Sequence, residues 1–401
     1  MTREEVQNIC LEEVNKHKCL LLNLVTGFGK SKLAIDITNK ICDNIFKLYG
    51  EGANILLVVA KEVHKKNWQN EIAKWGGLKA EHLTIECYES LKKYKDRYFD
   101  VVILDECHHL SETRREVLST ITVNEVILGL SATIPNDIID WFRSTYDTFI
   151  VSTNLQDAIE DNVLPEPTIY LIPLELKSGV PTEYIYKNPK VKGNIIECCW
   201  AMRWSCIRQK KYPVRIACNE KQYYEDLCGN IEWLKRRSIY SQTFKNKWLK
   251  LCNDRLKWLS EKKESYILSL LDKLKYQRTL TFCNSIEQTE KLGNNCIHSK
   301  AKDVEKILDR FNTKKIKHLT TCKMLDEGQN LNDCRIGIFA MINSSERINV
   351  QRLGRILRHK KPIIIIPFYK NTREEEIVKD MVEEYNPNTI KLINNINEIE
   401  L

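Results

Sequence analysis

LLNLVTGFGKSKLA, residues 21–34, sets an apolar run against a glycine-rich turn and a helix-forming tail. A complete phosphate-binding loop reads G-x-x-x-x-G-K-[ST], with glycine wherever backbone amides must approach a phosphate closely. Here the first glycine position is Leu24, so the stretch is either a fortuitous match or a variant loop. Its setting favours the variant: it follows an apolar strand and opens a helix, which aims amides and the positive helix end at one anion. In TGFGKS, Gly27 and Gly29 free the loop to wrap phosphates, Lys30 reaches the β and γ phosphates, and the Ser31 hydroxyl can ligate Mg²⁺. A tight turn with an exposed lysine would carry the same letters.

Similar apolar runs recur outward from the loop. CLLLNLV (19–25), NILLVVA (54–60), VVILDEC (101–107) and EVILGLSA (125–132) alternate with helical patterns such as TRREVLSTI. Near-continuous apolar strands are buried on both faces, as in a parallel sheet covered by helices, so an α/β domain is predicted over 1–150. The alternation returns in LTFCN (280–284), RIGIFAMIN (335–343) and PIIIIPFY (362–369), which predicts a second α/β domain over 266–370. In VVILDECHH the strand ends at Asp105-Glu106, where such folds place carboxylates beside the phosphate loop. Asp105 would hold Mg²⁺ through water and Glu106 would activate the attacking water.

Composition narrows the field. The 401 residues are 43% hydrophobic and 29% charged, which describes a globular chain long enough for two ordinary cores. A net charge of +8 suits an anionic partner such as nucleic acid, and equally suits plain solubility. No apolar run reaches the roughly 18 residues that span a bilayer, and MTREEVQNIC lacks the layout of a signal peptide, so a cytoplasmic location is expected. The 15 cysteines include no C-x-x-C pair and read as reduced thiols packed as small hydrophobes. Cys198, Cys199, Cys206, Cys218 and Cys228 cluster in sequence, but without the short paired spacing of zinc sites.

On these residues the chain resembles the superfamily 2 helicases and translocases, over most of 1–150 and 266–370. The phosphate loop of that family reads T-G-x-G-K-[ST], without the early glycine, as in Thr26-Gly27-Phe28-Gly29-Lys30-Ser31. Asp105-Glu106-Cys107-His108 matches its D-E-x-H box, and Ser131-Ala132-Thr133 its S-A-T box. Gln351-Arg352-Leu353-Gly354-Arg355-Ile356-Leu357-Arg358 matches its Q-R-x-G-R-x-x-R segment. The resemblance implies two RecA-like parallel-sheet domains that bind ATP and Mg²⁺ in their cleft. It makes Arg355 and Arg358 the arginine fingers, places Gln351 at the nucleotide-side interface, and makes His108, Ser131 and Thr133 the residues that couple ATP state to nucleic-acid grip. LDEGQNL (325–331) looks like the family's E-G-x-[DN]-L segment, with Gly328 approaching the track and Asn330 near ribose or the domain interface.

Departures accompany the match. Cys322 stands where the family carries threonine, beside Thr320 and Thr321, and Ala60-Lys61 replaces the usual proline after the second strand. Lys61, Lys65 and Ser90 could make those phosphate contacts instead, and His298-Ser299 resembles a further backbone-contact segment or an ordinary surface turn. Arg3 and Gln7 stand near an adenine-recognising R-x-x-Q, with one residue more between them. Only Cys42 and Cys87 fall between the first two motifs, against an iron–sulfur branch. The wording is nearest to branch-migration and DNA-repair translocases of phage and cells.

The expected activity is therefore ATP-dependent movement along or unwinding of nucleic acid, DNA before RNA, by a monomer working in replication, recombination or repair, with partner proteins of those pathways. Residues 151–265 are expected to be a linker and a mostly helical insertion, and 371–401 a helical extension. Within 231–263, one amphipathic helix is predicted, and Lys235, Arg236 and Arg237 among the tryptophans are expected to bind a nucleic-acid backbone. A small helical core with a solvated lysine face fits the same pattern. Asp161 with Glu175 and Lys177 forms a D…E-x-K pattern, which keeps open a motor subunit of a restriction or nuclease system.

Overall fold

Leu20, Leu21, Leu22 and Leu24 are all fully buried, as a strand covered on both faces requires. They belong to β1 (Cys19–Leu24) in the computed structural model, which describes residues 1–179, 198–205, 210–322, 331, 334–343, 345–383 and 385–401. With β2 (Ala53–Val59), β3 (Ala80–Cys87), β4 (Tyr98–Asp105), β5 (Thr122–Ser131) and β6 (Thr148–Thr153) it forms a parallel sheet in the order β3-β2-β4-β5-β1-β6. Helices α1 (Arg3–Glu13), α2 (Lys30–Tyr49), α3 (Glu62–Lys74), α4 (Glu112–Thr120), α5 (Asn136–Thr145) and α6 (Leu155–Glu160) cover it. Two apolar clusters pack against this sheet, one around Leu22, Ile55 and Ile103 and the other around Leu21, Val102 and Phe142.

The second sheet is also parallel, in the order β11-β12-β10-β13-β14-β7-β15. Its first strand in the chain is β7 (Thr168–Leu174); a separate antiparallel ribbon, β8 (Cys198–Ser205) with β9 (Lys210–Ala217), follows. Then come α7 (Glu220–Ser238), α8 (Gln242–Lys262), α9 (Glu264–Lys273), β10 (Thr279–Phe282), α10 (Ile286–Leu292), β11 (Cys296–Ile297), α11 (Val304–Asn312), β12 (His318–Thr321), β13 (Ile336–Phe339), α12 (Glu346–Ile356), β14 (Ile363–Tyr369), α13 (Arg373–Val382) and β15 (Ile390–Leu392). The two RecA-like parallel-sheet domains expected from the sequence are present.

Three stretches differ from the sequence reading. Residues 168–174, read as a β-like piece of the linker region, do form a strand, but one that pairs with β14 over its whole length and belongs to the second sheet. Among the described residues of 371–401 the one α-helix is α13, followed by β15, which pairs with β7, and a 3-10 turn at Ile396–Glu398. The helix predicted over 231–263 is two helices, because Ser241 caps α8 by accepting from Thr243 N at 3.2 Å and the chain turns at Ile239–Tyr240. Among the described residues no helix is long and apolar enough to cross a membrane. Cys10, Cys19, Cys42, Cys87 and Cys107 of the first lobe form no disulfide, and burial pushes the Cys10 thiol up to about 12.

Candidate active site

The sheet order explains why three distant motifs meet. β1 and β4 flank β5, with Asn23 in register with Ser131 and Leu130 with Asp105, so the loops leaving their carboxyl ends lie side by side. Ligands of open parallel sheets bind at such strand ends. Gly27 and Gly29 both take the left-handed region, at φ +93° and +108°, which a β-carbon would strain. A Cβ at Gly29 would meet nothing within 4 Å, so the loop faces open space there. Helix α2 begins at this point without a side-chain cap, leaving its first amides to an anion. That cradle fits a phosphate.

Lys30 Nζ donates to Leu24 O at 2.7 Å, parked on the loop it would leave to meet a phosphate. Burial lowers its pKa, while Glu106 and Asp105 oppose that fall. The Asp105 carboxyl is pushed up to about 7 by burial and by the neighbouring Glu106 charge, and a hydrogen bond from Trp68 works the other way. That bond runs from the indole Nε1 to Asp105 Oδ2 at 2.8 Å. A partly buried carboxylate pair beside a serine hydroxyl suits a hard divalent cation, whose charge would relieve the repulsion between the two acids. Glu106 itself sits at φ +51°, a left-handed conformation unusual for a residue with a side chain and common at working sites.

His108 Nδ1 and Ser131 Oγ share a hydrogen bond of 2.9 Å, and Ser131 Oγ also reaches Glu106 Oε2 at 3.3 Å. Ser131 Oγ accepts from Thr133 N at 3.3 Å, so the D-E-x-H and S-A-T boxes form one hydrogen-bonded unit. Buried His108 Nε2, Thr133 Oγ1 and Gln351 Nε2 have no partner among the described residues. Arg352 is held in the second lobe, donating to Met341 O at 3.3 Å with its guanidinium 5.3 Å from the Phe282 ring centre.

A cleft of about 390 Å³ gathers most of the predicted residues. It is lined by Thr26, Gly27, Gly29, Lys30, Ser31, Asp105 and Glu106 from the first lobe and by Arg355 and Arg358 from the second. Burial lowers the pKa of the Arg358 guanidinium, and Glu71 of α3 opposes this from across the cleft. Phe28 is buried in the core of the first lobe, and Gln351 is buried on α12. A cavity of about 690 Å³ shares the Gly27 and Arg358 walls and is lined also by Arg3, Val163, Leu164, His359 and Lys360. Arg3 donates to Gly27 O and to Val163 O, each at 3.1 Å, whereas Gln7 donates to Asp36 Oδ2 at 2.9 Å.

The residues assigned to nucleic-acid contact are spread more widely. Lys61 is exposed at the start of α3, and Ser90 lies in the short 3-10 helix Tyr88–Tyr94. Lys65 is held between Glu86 at 2.6 Å and Glu62 at 2.9 Å. His298 and Thr321 are buried, and His298 Nδ1 accepts from Lys300 N at 3.3 Å. Gly328, Asn330 and Cys206 lie outside the described residues. Asp161 accepts from the Met1 ammonium while Glu175 pairs with Lys370 at 3.4 Å.

Sequence reasoning did not single out Trp68 or Glu71. Trp68 is one aromatic in the polar helix EVHKKNWQNEIAK, and only the packing of α3 against β2 and β3 turns its N–H towards Asp105.

Comparison with known proteins agrees with the motifs. The helicase conserved C-terminal domain matches residues 262–360, and the res subunit of type III restriction enzymes matches residues 79–136. A protein of Invertebrate iridescent virus 3, provisionally named helicase 109L, is 27% identical over 209 residues, 46% of this chain and 57% of that protein. The match thus spans little more than half of the relative's length. A fragment provisionally assigned as the HsdR subunit of a type I restriction enzyme from Vibrio vulnificus YJ016 shares the fold, with a TM-score of 0.56 at 17% identity, covering 97% of this chain and 67% of that one. The Hef helicase domain of Pyrococcus furiosus aligns with a TM-score of 0.49 at 15% identity, over 94% of this chain and 97% of its own.

Proposed function

We propose, from this chain's membership of the superfamily 2 helicases and translocases, that it hydrolyses ATP between its two lobes and uses the cycle to move along or unwind nucleic acid, DNA before RNA. The observation that carries this reading is one cleft lined by Thr26, Gly27, Gly29, Lys30 and Ser31 together with Asp105, Glu106, Arg355 and Arg358. Loop amides and the start of α2 would bind the phosphates, and Lys30 would move from the Leu24 carbonyl to the β and γ oxygens. Ser31 and Asp105 would hold Mg²⁺, whose charge offsets that of the phosphates. Glu106 would take the proton of the attacking water. Arg355 and Arg358, arriving from the other lobe, would stabilise charge on the departing phosphoryl group only when the lobes are closed. The larger cavity beside Gly27 has room for the base and ribose, with Arg3 at its wall.

The Glu106–Ser131–His108 unit would transmit occupancy of the cleft to the nucleic-acid face. Lys61 and Ser90 would contact the track there, joined by Gly328, while buried His298 and Thr321 would shape its surface. The location proposed is the cytoplasm of a bacterium or of a phage-infected host, in replication, recombination or repair.

The test is steady-state ATP hydrolysis with Mg²⁺, alone and with single-stranded, duplex or forked DNA, or RNA. Nucleic acid should stimulate the rate, Lys30→Ala should remove it, and Glu106→Gln should lower it by about 10²-fold or more with ATP binding retained. A rate indifferent to every nucleic acid would reject the motor.

Trp68 adds a narrower prediction. Trp68→Phe keeps the ring and deletes the N–H that orients Asp105, so the Mg²⁺ concentration for half-maximal hydrolysis should rise roughly 10-fold or more, with the rate at saturating Mg²⁺ largely kept. An unchanged Mg²⁺ titration would remove Trp68 from the site.

A further inference from the structure

Between Glu232 and Asp254 the chain has no carboxylate and six basic side chains: Lys235, Arg236, Arg237, Lys245, Lys247 and Lys250. All six are exposed. They occupy the distal half of the hairpin formed by α7 and α8, whose bend carries Ile239 and Tyr240 at 83% and 84% exposure. A solvated helical face normally mixes the two signs and gains from i,i+4 pairs. The proximal half does so, with Glu220, Glu225, Asp226 and Glu261 among its lysines, whereas the distal half holds no carboxylate and Arg236 reaches one at its edge, Glu232 at 3.7 Å.

The distal half is also ordered from within. Trp233 meets Phe244 edge-on at 6.1 Å, and the Arg237 guanidinium lies 4.1 Å from the Trp233 ring centre. At the other end the hairpin is fixed to the second lobe. Tyr224 and Trp258 pack with Leu259 and Tyr369, the Tyr224 hydroxyl accepts from Arg373 N at 2.7 Å, and Ser260 Oγ bonds Gln288 Oε1 at 2.9 Å. The cations therefore ride on an arm that moves with that lobe.

Resting on the motor reading, we infer that the distal half of the α7–α8 hairpin is a second nucleic-acid contact, with its cations along a phosphate backbone and Tyr240 stacked on a base at a strand end or fork. A cluster of six exposed cations against the single edge carboxylate Glu232 selects a polyanion, and an exposed ring at the tip selects one with stackable faces. Opening and closing of the ATP cleft would swing this arm relative to the strand held by the first lobe.

The test uses the full chain and fluorescently labelled forked DNA, titrated over a range of salt. Charge reversal of Lys235, Arg236 and Lys245 to Glu should weaken binding more than 10-fold and reduce the slope of log affinity against log salt by roughly 3. Basal ATP hydrolysis and the unfolding temperature should not change. Tyr240→Ala should weaken fork binding about 5-fold or more and leave the slope alone. If DNA stimulates the wild-type ATPase but both variants bind with wild-type affinity and slope, this inference fails while the motor stands. If wild-type protein binds no nucleic acid, both fail.

Discussion

Replacing Gly354 with alanine is expected to lower ATP hydrolysis by about 10²-fold or more without unfolding the protein. Gly354 lies on α12 of the second lobe, and a Cβ built there falls 2.4 Å from both Cβ and Cγ2 of Thr26 in the phosphate loop of the first. Carbon atoms in contact need roughly 3.5–4.0 Å, so the lobes would separate by about 1 Å or more. Thr26 cannot give way by rotating, because its own Cβ is one of the clashing atoms. Arg355 and Arg358 follow directly on α12 and its end, and a misplacement of that size typically costs on the order of 10²-fold in rate, within a contribution of about 10³ or more for such arginines. Alanine is the better helix former by about 1 kcal/mol, so the unfolding temperature should hold or rise. Loss of activity could then not be blamed on the fold. Hydrolysis within threefold of wild type would show that the lobes close without this contact.

The same contact shows where sequence reading succeeds. Motifs that supply chemistry are local: Gly27, Gly29 and Lys30 declare themselves because a phosphate demands glycine and lysine at fixed spacing after a buried strand. The strands read well because burial on both faces leaves runs such as IIIIPFY, all seven of whose residues are buried in β14. Even Pro367 is tolerated there, since β13 pairs with β14 only through Ile365 and no ladder bond on that side is lost.

What could not be read depends on pairing across long separations. TIYLIPL reads as β-like, but nothing within it tells which sheet it joins, and it enters the second sheet because β14 offers its whole length as a partner. Trp68 reaches Asp105 across 37 positions, and nothing in the helix carrying it marks the bond. In SEKKES (260–265), Lys262 and Lys263 look alike as solvated lysines, but the junction of α8 with α9 turns one of them fully inward. Pattern decides which segments are elements. The joints between them decide which polar side chains are buried.

That inward lysine gives the largest expected effect on stability. Lys263 and Glu374 are 0% and 1% exposed, with Nζ 2.6 Å from Glu374 Oε1 and donating also to Pro367 O at 3.1 Å. The other carboxylate oxygen accepts from Tyr369 N at 3.2 Å, so the pair joins the hairpin junction to β14 and the first turn of α13. Removing one partner leaves an uncompensated buried charge, which typically costs about 3–5 kcal/mol. Lys263→Met should therefore lower the urea midpoint of the second lobe sharply. Lys263→Met with Glu374→Gln removes both charges while keeping an acceptor for Tyr369 N, and most of the loss should return, since a buried pair replaced as a unit is often neutral. The double variant separates two roles for this pair. If it regains stability and still couples DNA binding to hydrolysis, the apolar packing of Tyr224, Trp258 and Leu259 suffices to fix the hairpin to its lobe. If stability returns but DNA no longer stimulates hydrolysis, the ion pair is the joint through which the arm follows the cleft. A single variant as stable as wild type would mean that water reaches Glu374 and that its charge is not buried at all.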